Sequence, residues 1–403
     1  MHMAQESPPA TDRILSLDVF RGLTILAMIF VNDLAGVRDI PAWLKHAPAD
    51  ADAMTFPDLV FPTFLLIVGM SIPWAIKARC DRGAGPVRLW AHILIRTLGL
   101  LVLGVFMVNA EASHDGQVAG MGLAPWALLM YGSMILIWNA YPSAFGWRPW
   151  MYIGLRLTGV LVLVLLYLLY RNEDGTRMGP RWWGILGLIG WAYVTSCILY
   201  LAFRRRLPAM IGCLGLLIAF YVGVRSGGLE LPSFLAFLHG QTGNASHSVI
   251  VVAGIVVSLL FLEDSPTRSI RQRVEWLVVF AMLLFIAGYL LRPLHGISKV
   301  HATPTWSLYC AGIGVLVYVL LYWVVDVQRA VRWTRLLKPA GANPLLTYIL
   351  PSIVYYLLAW LNVTIWPNAL GRGVPGIIRS CIFTVLILGL AALLTRCKIR
   401  LHL

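Results

Sequence analysis

Apolar runs of about 20 residues recur along this chain from near its start to its end, each long enough to cross a hydrocarbon core of about 30 Å at about 1.5 Å of helical rise per residue. A lipid interior supplies no water to satisfy stray amides, so whatever crosses it is a helix or a strand of a closed barrel. Barrel strands alternate apolar with polar residues, whereas these runs are apolar all round. The expected fold class is therefore all-α, a polytopic helical bundle embedded in a lipid bilayer. Composition agrees, with 59% hydrophobic and 12% charged residues among the 403 and a mean hydropathy of +0.77.

Spans are expected near residues 17–36, 58–77, 89–109, 124–141, 151–170, 183–203, 208–224, 247–262, 274–291, 306–326, 344–361 and 375–395, giving 11 to 12 transmembrane helices. In a soluble chain the net charge of +14 would suit a nucleic-acid binder. In a membrane protein its placement decides orientation, and here no nucleic acid is expected. Lys77, Arg79, Arg82, Arg88, Arg204 to Arg206, Arg329, Arg332, Arg335, Lys338, Arg396, Lys398 and Arg400 gather on one side together with Arg13, Arg148, Arg268, Arg271 and Arg273. The bias predicts N-in and C-in, with the His46 loop outside. Residues 1–14 are polar, contain proline and lack the layout of a cleavable signal, so they are expected to be a disordered segment before a single membrane domain over 15–400. Six cysteines are scattered without CxxC spacing and read as packing residues; no metal site is expected.

Polar residues stand out against this background between Leu17 and Ile72, where Asp18, Arg21, Asn32, His46 and Asp58 lie in or between two spans. A charge near the membrane centre costs about 2.5–3.5 kcal/mol on insertion scales, which points to function or to a specific packing role. At 3.6 residues per turn, residues 21 and 32 lie about 20° apart and roughly 16 Å apart along the axis. Asp18, Arg21 and Asn32 thus share one wedge that runs most of the membrane depth. Asp18 and Arg21 are expected to pair at its inner end, either to neutralise one another or to meet a ligand, and Asn32 marks its outer end. His46, beside an Asp58 that opens the second span, has the chemistry of a general base or of an acyl-accepting nucleophile. Asp50 and Asp52 look like solvated loop acids. Ser71, Arg96, Arg156 and Arg379 are further polar residues at membrane depth, and Arg96 is expected to face the interior. Asn343 before Pro344 reads as an N-cap that leaves a helix N-terminus free for an anion. Lys299 and Trp306 lie near the outer face, the first able to donate to an oxyanion and the second able to stack on a sugar.

The stretches SLDVFRGLTILAMIFVND, KHA and DLVFPTFLLIVGMSI, in that order, resemble the heparan-α-glucosaminide N-acetyltransferase family and its bacterial NagX-like relatives. The likeness is dense over about 60 residues and returns in SKVHATPTW and GANPLLTYILP. It implies an acetyl-CoA-dependent N-acetyltransferase of a bacterial inner membrane, carrying acetyl from cytosolic acetyl-CoA to the amine of a glucosamine-type sugar outside. The family's catalytic histidine and site asparagine map to His46 and Asn32, and its second-helix aspartate to Asp58. Asp18, Arg21, Ser71 and Asn343 are then expected on the cofactor side, Lys299 and Trp306 on the acceptor side, and a homodimer is implied. An amino-sugar transporter is the alternative; broken helices in matching halves would mark one, and the polar constellation falls in one quarter of the chain.

Overall fold

The computed structural model describes residues 14–112, 117–118, 120–141, 149–172, 175–203, 206–262, 267, 269–364 and 368–402. Residues 1–13 of the expected disordered segment lie outside that set, as do Arg148, Arg204, Arg205, Arg268 and most of the acidic stretch after Glu111.

Twelve helices stand where the apolar runs place them: α1 Leu15–Leu34, α2 Phe56–Asp81, α3 Pro86–Ala112, α4 Leu123–Trp138, α5 Pro149–Leu169, α6 Gly184–Phe203, α7 Leu207–Arg225, α8 Thr242–Leu259, α9 Ile270–His295, α10 Pro304–Tyr322, α12 Pro344–Trp360 and α13 Gly373–Arg396. A five-residue helix, α11 Lys338–Ala342, precedes α12. Among the described residues ten helices are long and apolar enough to cross a membrane, while α4 and α12 are shorter apolar helices. The chain is an all-α polytopic membrane bundle.

Contacts at the two ends fix how the helices alternate. At one end the amides of Leu15 and Ser16, opening α1, donate to the Asp326 carboxylate beyond α10 at 3.1 Å each, and Asn343 before α12 reaches Thr395 at the end of α13. Basic residues flank this end, the one the positive-inside rule expects in the cytoplasm. At the other end, residues 45–55 meet the loop after α9, and Arg38 bridges Arg372 before α13.

The innermost helix is α8, whose residues from Ala245 to Leu259 are all buried. Its closest partner is α2, and the two meet backbone to backbone. A Cβ on Gly69 would stand 1.9 Å from the Val251 carbonyl oxygen, and one on Gly254 would stand 2.1 Å from that of Leu66. Small residues permit such approach where no hydrophobic force draws helices together in lipid. The Ser258 hydroxyl donates to the Met70 carbonyl across the same contact. The helix that carries Asp58 is thus pinned along its length to the bundle's centre.

Gly254→Ala is accordingly expected to cost about 1–3 kcal/mol by overpacking and to lower the unfolding temperature in detergent, whereas Gly215→Ala, with nothing within 4 Å of its Cβ, should leave it unchanged. Equal unfolding temperatures for the two variants would show that the helices can part freely.

Candidate functional site

The outer site is built on the first turn of α2. Thr55 is the N-cap residue and Asp58 stands three places on, forming a reciprocal capping box. The Asp58 side chain is only 1% exposed, and both of its oxygens are used. Oδ2 accepts from the amides of Thr55 and Ala47 at 3.0 and 3.1 Å and from the Thr55 hydroxyl at 2.9 Å. Oδ1 lies 2.6 Å from His46 Nδ1. Positive helix dipole ends favour a carboxylate here. The bond at Nδ1 orients a ring that is half exposed and directs Nε2 away from the carboxylate.

Lys299 completes the group from 253 residues away. Its Nζ lies 3.1 Å from His46 Nδ1, 3.4 Å from Nε2 and 3.8 Å from Asp58 Oδ1. Burial pushes the Lys299 ammonium below the usual lysine range, and the Asp58 carboxylate partly offsets this. Trp306, expected to offer a face to a sugar, is instead fully buried: its indole donates to the Asp58 carbonyl at 3.3 Å and its ring packs edge-on against His247. Its place is beneath the site as a support.

A cavity of about 310 Å³ lies between α1, α2, α3, α6 and α12, reaching from Arg21 and Ser71 at one end to Met28, Phe64 and Ile185 at the other. On α1 it is lined by Arg21, Ile25 and Met28, and on α2 by Phe64, Ile67, Val68 and Ser71. Asp18 pairs with Arg21 at 3.2 Å, and Arg21 also donates to the Ser71 hydroxyl at 3.0 Å. Arg96 faces the interior as expected, with its guanidinium 4.8 Å from the centre of the Tyr193 ring and its Nε buried without a hydrogen-bond partner among the described residues. Gly341, Ala342, Pro344 and Leu345 bring the N-terminus of α12 to the same wall. Asn343 does not cap that helix. Its buried side chain donates to Thr395 and the Ile399 carbonyl and accepts from the Leu401 amide, so it fastens the C-terminal tail and is not free for a ligand. Asn32 is exposed and continues the Arg21, Ile25, Met28 stripe one turn outward. Between cavity and outer site, Met28, Val31 and Val60 form an apolar cluster with Phe64 and Tyr348 against it.

Two carboxylates matter more here than their sequence context suggests. Asp52 is no bystander: it accepts from the Ile297 amide at 2.7 Å and from Arg292 Nε at 2.9 Å, and Ser298 donates to the Ala49 carbonyl at 3.1 Å, so the His46 loop and the Lys299 loop are laced together. Asp33, adjacent to Asn32, is buried in an ion pair with Arg379 at 3.2 Å and accepts from Ser380 at 2.5 Å and from the Tyr355 hydroxyl. That network ties the outer end of α1 to α12 and α13. Nothing local announces either role; intramembrane Asp33 and Arg379 as an opposite-charge pair was the one available signal.

The hydrogen bond from Arg292, helped by the Ile297 amide, holds the Asp52 carboxyl below its ordinary value of 3.8. Its contribution is therefore complete above that value and is lost as pH falls through the lowered folded value. Asp52→Asn at pH 7 should reproduce the acid behaviour, with faster hydrogen exchange at the Ile297 amide and across 296–303. Unchanged exchange would show that the loops hold together without this carboxylate.

A family model described as a domain of unknown function, DUF5009, matches residues 13–231, more than half of the 403. Heparan-alpha-glucosaminide N-acetyltransferase of Homo sapiens is 37% identical over 97 residues, which are 24% of this chain and 14% of that protein. The Mus musculus protein of the same name is 35% identical over 100 residues, 25% of this chain and again 14% of the relative. The chain thus matches a small part of the length of these relatives. The family match takes in α1, the His46 loop, the capped start of α2 and the Arg96 wall of the cavity, and on that extent the chain belongs to the DUF5009 family.

Proposed function

We propose that this protein is a transmembrane N-acetyltransferase that takes an acetyl group from acetyl-CoA entering on the cytosolic side and passes it to the amine of a glucosamine-type sugar on the far side. The observation that carries this reading is a pairing: a cation-lined cavity that begins at Arg21 and the start of α12 runs through the bundle toward the end that carries an imidazole held by a buried carboxylate. The names of the two relatives supply the reaction class and the acceptor class.

The lining suits a phosphorylated acyl carrier. Arg21, Arg96 with its unpartnered Nε, and the start of α12 offer charge and donors to phosphates. Ile25, Met28, Phe64 and Ile67 then give an apolar path for the arm that bears the thioester. Arg21 to Met28 covers about 10 Å of helical rise and Asn32 about 6 Å more.

Chemistry follows from the outer group. Asp58 fixes Nδ1–H, so Nε2 carries the lone pair. Nε2 removes a proton from the acceptor amine as the amine attacks the thioester carbonyl, and when the C–S bond breaks the CoA thiolate leaves with that proton; in the two-step route Nε2 attacks first, expels the CoA thiolate and holds the acetyl as an acylimidazole until the amine displaces it. Lys299 is the donor on hand for the oxyanion, and the exposed Asn32 is a second candidate. General base action supplies about 10²–10⁴-fold, so holding both substrates together must supply more.

Purified protein in detergent, given acetyl-CoA and glucosamine, is expected to release CoA, and His46→Ala to abolish that release. Asp58→Asn should lower kcat by about 10²–10⁴-fold. Uptake of labelled sugar into proteoliposomes without any CoA, and no CoA release in detergent, would overturn the transferase in favour of a transporter. The inner cavity is tested separately: Arg96→Ala should raise KM for acetyl-CoA at least tenfold with little change in kcat, and an unmoved KM would remove Arg96 from the acyl-donor site.

A further inference from the structure

A second recess lies at the outer end of α3, and the His46 group makes no use of it. Gly104, Met107, Val108 and Glu111 of α3 face Trp182 and the first turn of α6 there, with Tyr348 of α12 behind. It exists because α3 and α6 approach closely. A Cβ on Gly104 would stand 2.2 Å from the Trp183 carbonyl oxygen, and Gly184, at φ +67°, would carry one 2.9 Å from Val108 Cγ2. The space is about 30 Å³, roughly a tenth of that of the larger cavity.

Glu111 is the charged side chain in the described lining, and its turn of helix is held firmly. The hydroxyls of Tyr170 and Tyr356 donate to the Asn109 and Ala110 carbonyls at 3.1 and 3.4 Å, satisfying acceptors that a helix end leaves open. Trp182 is 48% exposed at the mouth and offers a flat apolar face to the outer medium. Ile185, Leu186 and Tyr348 line this recess and the 310 Å³ cavity alike, so these side chains are what part the two.

We propose that this recess is the acceptor's docking site: the ammonium group of an amino sugar enters it and pairs with the Glu111 carboxylate, while the sugar ring lies on the Trp182 indole. The choice of an amino sugar over another primary amine rests on the transferase reading; the choice of a cation rests on the Glu111 carboxylate in the lining. A charge-assisted hydrogen bond in a confined recess favours the cationic amine over a hydroxyl in the same place. The Trp182 face suits the apolar side of a ring whose polar groups point to water. Glu111 here is a binding residue: the amine is held as its ammonium and loses its proton only after it leaves for the acyl group.

The test is direct binding to the full chain in detergent, with glucosamine as probe and glucose as its neutral counterpart. Wild-type protein should bind glucosamine at least tenfold more tightly than glucose. Glu111→Gln should remove that difference while leaving KM for acetyl-CoA unchanged, and Trp182→Ala should weaken both sugars but not methylammonium. Equal binding of the two sugars by the wild type, or discrimination that survives Glu111→Gln in a variant with wild-type unfolding temperature, would overturn the proposal. If Glu111→Gln does not fold, the Trp182→Ala pattern decides. The two readings fail separately: glucosamine binding lost in Glu111→Gln without any acetyl transfer leaves the recess and removes the transferase, whereas transfer with an acceptor KM indifferent to Glu111→Gln does the reverse.

Discussion

One carboxylate organises the outer face. Asp58 accepts from the amides of Thr55 and Ala47 and from the Thr55 hydroxyl, meets His46 Nδ1 at 2.6 Å, and through its carbonyl receives the Trp306 indole. A carboxylate so thoroughly withdrawn from water is tolerable only because its lone pairs are filled and because it sits where the backbone dipoles of a 26-residue helix converge. Cap, loop anchor and imidazole holder are therefore a single group. The orientation of the ring inherits the rigidity of the helix beneath it.

That rigidity is supplied from the centre outward. The contact of Gly69 and Gly254 sets α2 against α8 with no side chain between them, and Ser258 adds a hydrogen bond. Above it, Asp52 joins two loops that lie more than 240 residues apart in sequence. Beside it, the pair of Asp33 and Arg379 anchors the outer end of α1. Breaking a buried pair of this kind typically costs about 3–5 kcal/mol, because the survivor is left charged and alone. These three fastenings act on different elements of the same bundle.

How much of this was legible in the chain follows from the range of the interactions involved. The spans were, since a run of apolar residues meets lipid wherever it stands. The pairing of Asp18 with Arg21, three residues apart on one helix face, needed only helical periodicity, and the meeting of His46 with Asp58 needed only a short loop returning to a helix start. Asp52 is solvated as expected, but its role as a loop tie is not legible in the sequence, because its partners, Arg292 and Ile297, come from the far end of α9. Trp306, near the outer face in sequence, reads as a residue able to stack on a sugar, whereas packing against His247 and Asp58 buries it. Asn343 has the look of a cap, but the chain's own last residues reach it first. Each miss is a contact between segments whose proximity only the assembled bundle creates.

The apolar cluster of Met28, Val31 and Val60, with Phe64 and Tyr348 packed against it, has a bearing on the energetics of the host cell. Any protein hollowed from one membrane face and active at the other is in danger of short-circuiting the proton gradient across that membrane. A constriction without hydrogen-bonding partners strips water from a passing ion and so imposes a dehydration barrier. For the proposed transfer, a slender thioester arm pushes such side chains aside, whereas a hydronium or sodium ion gains nothing by doing so. On that proposal, group transfer across the bilayer is separated from leakage of charge.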